Sequence, residues 1–66
     1  MEKRAMVKLK NLRKQMGLTQ TELAEKCGIS CKNISRYENG DRNPGIHNYR
    51  RLAKALNCRP SDLIED

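Results

Sequence analysis

The sequence predicts an all-α fold of five helices, and three observations carry that expectation. Apolar residues recur at helical spacing in four successive segments. No stretch shows the alternation of β-branched residues that marks a strand. Residues that start or stop helices, Thr19, Gly28, Ser30 and Pro60 among them, fall between the apolar segments.

Met6, Leu9, Leu12 and Met16 define the first helix, roughly residues 2–15, which Gly17 ends. Its other face carries Lys3, Arg4, Lys8, Lys10 and Lys14. Thr19 with Glu22 forms the T-x-x-E capping box that opens the second helix. Leu23, Ala24 and Cys27 are its buried stripe, and Gly28 stops it by tolerating the left-handed conformation. Ser30 is the N-cap of the third helix, whose inward face is Ile34 and Tyr37 and whose end is Asn39-Gly40. Residues 40–45, Gly-Asp-Arg-Asn-Pro-Gly, read as a loop. Ile46, Tyr49, Leu52, Ala53 and Leu56 give the fourth helix its stripe. Pro60 suits the first turn of a short fifth helix, from which Leu63 and Ile64 close the core.

Sixty-six residues make one domain, 1–66, of a size that folds alone with little margin. With 14 Lys and Arg against 8 Asp and Glu, the formal net charge is +6. That excess favours a polyanionic partner, either nucleic acid or an anionic membrane surface. The basic first helix lacks the Trp and Phe that membrane-lying helices favour, so packing against a core is the better reading of it. No apolar run approaches the ~20 residues of a membrane span. Residues 1–16 carry basic residues without the apolar segment of a signal peptide. Three cysteines, Cys27, Cys31 and Cys58, without paired spacing and with His47 remote, argue against a disulfide framework and against a zinc site. A cytoplasmic protein without metal or cofactor is therefore expected, with Cys27 and Cys58 as small apolar core residues.

Residues 20–39 form the informative unit, two short helices around one glycine. Ala24 is small enough for a close helix crossing, Gly28 permits a tight turn, and Ile34 packs beneath both helices. A plain helical hairpin needs no polar outer face on its second helix, yet here that face carries Cys31, Lys32, Asn33, Ser35 and Arg36.

Residues 9–64 resemble the Cro and phage-repressor type of helix-turn-helix domain, the XRE family. The residues that carry the likeness are Leu12-Arg13, Gly17-Leu18-Thr19-Gln20, Glu22-Leu23-Ala24, Gly28, Ile34-Ser35, Glu38-Asn39-Gly40, Pro44 and Leu52-Ala53-Lys54-Ala55-Leu56. The resemblance implies a five-helix, lambda-repressor-like fold that binds operator DNA, usually as a two-fold dimer, here one that forms mainly on the operator. It places Cys31, Lys32, Asn33 and Arg36 at base-reading positions. Lys32 and Arg36 share a face and can donate to guanine O6 and N7, or contact phosphate alone. Asn33 and Ser35 can touch base or backbone. Gln20 matches the family's phosphate-binding glutamine at a helix N-terminus, a natural anion site. Thr19, Ser35, Asn39, Arg42 and Asn43 join it as phosphate contacts. Arg13 and Glu38 match a charged pair buried between the first and third helices.

The implied function is a sequence-specific transcription regulator, a repressor that occupies a pseudo-palindromic operator. Cys31 departs from the family's usual Gln, Ser or Pro, and Gly45 stands where a capping Ser or Thr is usual. An antitoxin-like module that binds a partner protein is the alternative. An enzyme is disfavoured by the single histidine and the lack of a clustered acid pair or cofactor loop. The Asp-Arg-Asn-Pro-Gly loop is too short and too basic for Ca²⁺. Single-strand RNA reading needs stacking aromatics, and Tyr37 and Tyr49 fall on core stripes.

Overall fold

The structure, a computed structural model, describes residues 5–63. Four α-helices follow one another: α1 (Val7–Gln15), α2 (Gln20–Cys27), α3 (Cys31–Asn39) and α4 (Ile46–Ala55). A 3-10 helix, Pro60–Leu63, comes after them. No strand occurs among the described residues.

Two N-termini form as their sequences dictate. Thr19 Oγ1 accepts from the Glu22 N–H at 3.0 Å, and Glu22 Oε1 accepts from the Thr19 N–H at 2.9 Å. That completes the capping box, and these bonds hold the Glu22 carboxyl below the ordinary glutamate range. Ser30 Oγ accepts from the Asn33 N–H at 3.2 Å and opens α3. Gly45 starts α4 with no side-chain cap.

Helix ends share one device. Gly28 takes a φ of +73°, and the N–H groups of Gly28 and Ile29 both reach back to the Ala24 carbonyl. A Cβ at Gly28 would touch nothing within 4 Å, so the backbone angle and not space requires glycine. The end of α4 uses Asn57, at φ +58°, in the same role. Its flanking N–H bonds, Asn57 to Lys54 O and Cys58 to Ala53 O, complete the motif.

The core is one cluster in which Leu9, Leu23, Ile34, Tyr37, Leu52 and Leu63 are fully buried. Ala24 is buried, and its helix α2 packs on both α3 and α4. Tyr37 ties three elements together. Its ring is buried, its hydroxyl accepts from Asn48 Nδ2 at 3.2 Å, and its carbonyl accepts from the Met6 N–H at 3.2 Å.

Several expectations change. The first helix begins at Val7 rather than near residue 2, because the Met6 N–H is spent on Tyr37 and no side chain caps the start. Lys3, Arg4 and Ile64 lie outside the described residues. Met16, 40% exposed, has left the stripe because it sits at the α1 C-cap, where the chain turns. Ile46 is 64% exposed; as the first residue of α4 it precedes the turn that meets the core. The expected fifth helix is the four-residue 3-10 helix, held by the Asp62 carboxylate on the Arg59 N–H at 2.9 Å. Cys27 and Cys58 are half-buried at the core's edge and not inside it.

Gly28→Ala is expected to destabilise the fold by about 1–2 kcal/mol, the cost of an L-residue in the left-handed region. Gly28→Asn should cost less. Urea denaturation of the three proteins checks the order. Burial pushes the Cys27 and Cys58 thiols up. The folded state therefore holds those protons to higher pH than the unfolded state, whose thiols titrate near ~8.5. Their stabilisation is complete below that value and lost as pH rises through the folded values. The denaturation midpoint should fall above about pH 8.5, and less steeply in the Cys27→Ala, Cys58→Ala double variant.

Candidate nucleic-acid interface

A buried ion pair fixes the orientation of α3. Arg13 of α1 donates through Nε to Glu38 Oε2 at 2.7 Å and through Nη2 to Glu38 Oε1 at 3.0 Å. Side-chain exposure is 9% for Arg13 and 2% for Glu38, so both charges are desolvated and must be matched in place. The carboxylate in turn holds the Arg13 guanidinium above its ordinary pKa.

Two further bonds extend the pair into a network. Arg13 Nη1 donates to the Leu18 carbonyl at 2.8 Å, in the loop between α1 and α2. Gln20 Nε2, at the first residue of α2, donates to Glu38 Oε1 at 3.1 Å. Four parts of the chain thus meet around one carboxylate. Every buried side-chain N or O atom among the described residues has a partner.

Outside this network lies the polar flank of α3. Lys32 is exposed, and Cys31, Asn33, Ser35 and Arg36 are half-buried, Cys31 against the edge of the core. Lys32 and Arg36, one turn apart, form no ion pair among the described residues. Asn39, Arg42 and Asn43 are exposed at the far end of α3 and in the loop after it.

The start of α2 borders the same flank. The capping box occupies the Glu22 N–H, which leaves the N–H groups of Gln20 and Thr21 as the free donors of the first turn. Thr19 Oγ1 is already an acceptor in the cap, but its hydroxyl proton remains available to an anion. Gln20 has two roles: one amide proton braces Glu38, and its other N–H and its oxygen remain available.

Thr21 was not singled out by the sequence. Its Oγ1 lies 3.5 Å from Cys31 Sγ, joining the first turns of α2 and α3. No spacing rule reveals that contact, since the residues meet only once both helices are placed. Asn48 was missed for the same reason. A second basic patch, also not marked in sequence, lines a groove between α2 and α4 with Lys26, Arg51 and Lys54 beside Cys27.

Comparison with known proteins places this geometry. A family profile described as helix-turn-helix matches residues 9–63. The competence pilus inhibition repressor of Acinetobacter baylyi is 46% identical over 55 residues, which are 80% of this chain and 48% of that protein. The chain therefore spans about half the length of that relative. Among solved structures, the restriction-modification controller protein C.AhdI from Aeromonas hydrophila superposes with a TM-score of 0.85 at 34% identity. The match covers 88% of each chain. The DNA-binding domain of the P22 C2 repressor superposes with a TM-score of 0.84 at 31% identity, over 96% of this chain and 84% of that one.

Arg13→Met is expected to cost about 3–5 kcal/mol, because it strands the Glu38 charge in the interior. Arg13→Met with Glu38→Leu should recover part of that loss and no more, since the Leu18 carbonyl and the Gln20 amide lose their partners too. Denaturation midpoints of the single and double variants measure the difference.

Proposed function

The chain belongs to the helix-turn-helix family, and from that premise we propose that it is a sequence-specific double-stranded DNA-binding transcription regulator, a repressor that acts by occupying a promoter. The observation that carries the reading is the polar flank of α3, on which Lys32 is exposed and Asn33, Ser35 and Arg36 are in part accessible, braced from behind by the Arg13–Glu38–Gln20 network. A nine-residue helix with its donors outward and its opposite face buried has the size and polarity of a major-groove reader.

Roles follow from position. Lys32 and Arg36 donate to base edges, with Arg36 able to hold guanine O6 and N7 bidentately. Cys31 and Asn33 lie on the same flank and meet neighbouring base edges. Gln20, with Thr19 and the free first-turn N–H groups of α2, receives a phosphate at the positive end of the helix. Ser35, Asn39, Arg42 and Asn43 grip the backbone on the other side. Arg13 and Glu38 touch no DNA and fix the angle of α3.

One α3 presents only a few base-reading side chains, so a pair of subunits is needed to specify an operator. A two-fold dimer on a pseudo-palindrome would set its recognition helices about 34 Å apart, one turn of DNA. Residues 1–66 then act as one domain with the binding unit at 20–39. Promoter occupancy sets the place of action in the cytoplasm, where the DNA is. No described helix is long and apolar enough to cross a membrane.

Selection from random duplexes is expected to enrich a two-fold symmetric site. On that site, log affinity should fall with log salt between about 50 and 200 mM, at about −0.9 per neutralised phosphate; a flat profile overturns the reading. Arg36→Ala should weaken specific binding by about 1–3 kcal/mol while binding to unrelated duplex changes far less. Equal losses would reduce Arg36 to a phosphate contact.

A further inference from the structure

We propose that the groove between α2 and α4 is a second anion site, suited to a small ligand that carries two or more linked phosphate groups, such as a nucleoside diphosphate. The inference goes beyond the regulator reading above and stands without it, since that reading gives these residues no contact role.

Lys26 and Cys27, at the end of α2, line an open cavity of about 340 Å³ together with Arg51, Lys54 and Ala55 of α4. Ala55 is buried and Cys27 half-buried, so they form an apolar floor. Lys26, Arg51 and Lys54 are exposed and form the rim. No carboxylate is among these lining residues, and no ion pair among the described residues engages any of the three cations. Burial pushes the Cys27 thiol up while the Arg51 charge acts in the opposite direction, so the field of the guanidinium reaches the floor. The site lies on a different side of α2 from the α3 flank. Thr21 meets Cys31 of α3, and Lys26, five residues on, stands about 140° further round the helix.

The fold holds three like charges around one groove, where they repel one another. Arg51 and Lys54, three residues apart, are neighbours on the surface of α4, and Lys26 adds the third charge from α2. A compact polyanion placed between them relieves that repulsion and gains charge-assisted hydrogen bonds, from Arg51 through its planar fork and from the lysines as point charges. A single phosphate group is too small to engage all three, whereas two linked phosphates divide their oxygens among them. The volume stands near the lower end of the range for small-molecule sites, about 300–1,000 Å³, which suits a ligand of nucleotide size with its apolar part on Cys27 and Ala55. A duplex backbone spreads its charge along an extended line and is met by an extended row of cations; here the cations are gathered at one spot.

The test uses the full chain without DNA, at constant ionic strength, with inorganic pyrophosphate as the probe and orthophosphate as its comparison. Backbone amide shifts of an isotope-labelled sample are followed residue by residue. Those of Lys26, Cys27, Arg51, Lys54 and Ala55 are expected to move together and to saturate, at about ten-fold lower concentration for pyrophosphate than for orthophosphate. Arg51→Gln and Lys26→Gln should each weaken pyrophosphate binding at those amides about ten-fold, the worth of one hydrogen bond to a charged group. Lys14→Gln, which removes the same charge from an exposed position on α1, should change it less than about two-fold, since salt screens distant charges. All three are surface substitutions, and matching amide spectra of the unliganded proteins verify that the fold is kept. The proposal is overturned if the shifts stay at the first turn of α2 and the α3 flank, if orthophosphate saturates as readily as pyrophosphate, or if Lys14→Gln costs as much as Arg51→Gln. Failure of the regulator reading is distinguishable, because it would show as selection that enriches no duplex, a result on which these titrations do not depend.

Discussion

One carboxylate organises this molecule. Glu38 lies on the inner side of α3, almost without solvent, and accepts three hydrogen bonds from Arg13 and Gln20. A desolvated charge tolerates little displacement, because each lost bond leaves part of the burial cost uncompensated. The network is therefore directional in a way that Leu and Ile contacts are not. It fixes α3 with respect to α1 through Arg13, to the α1–α2 loop through the Leu18 carbonyl, and to the first turn of α2 through Gln20. The apolar cluster supplies cohesion, while this network sets the angle at which the polar flank of α3 faces outward.

The turns make that network possible at this chain length. Each of α2 and α4 ends within one left-handed residue, Gly28 or Asn57, and the N–H groups that follow close back on the helix. Short connections keep α2 and α3 in contact, with Thr21 meeting Cys31 between their first turns. A longer α2–α3 loop would let the helices slide, and Glu38 would then have to satisfy its acceptors with water.

How much of this was legible follows from the range of each interaction. Thr19 with Glu22, Gly28 and Ser30 act within three or four residues, so sequence spacing alone located the helix boundaries they control. Leu9, Leu23, Ile34, Tyr37 and Leu52 were legible as core because helical periodicity reports a face. The Arg13–Glu38 pairing, 25 residues apart, came from the family resemblance and not from any spacing rule. The start of α1 was misplaced because a long-range bond, Met6 N–H to Tyr37 O, decides it. Ile46 and Met16 fit the periodicity yet stand at helix ends, where a stripe has no opposite surface to meet. Thr21–Cys31 and Asn48–Tyr37 join different helices through single polar groups and leave no trace in composition or period.

The division between satisfied and unsatisfied donors carries the functional reading further than charge does. A net charge of +6 would serve solubility as well as nucleic-acid binding if its members were scattered or paired. Inside, every buried side-chain N or O atom among the described residues has a partner within the fold. Lys32 and Arg36 instead remain outside any ion pair among the described residues, on the one helix whose opposite face is held by a buried carboxylate. A rigid support behind and free donors in front is the arrangement that lowers the ordering cost of binding, since the helix is already placed and only side-chain rotamers remain to be fixed. Basic residues elsewhere, such as Lys26, Arg51 and Lys54 in the groove between α2 and α4, share the charge. In the proposed function they add to the field that draws a polyanion in, and the α3 flank selects among sequences.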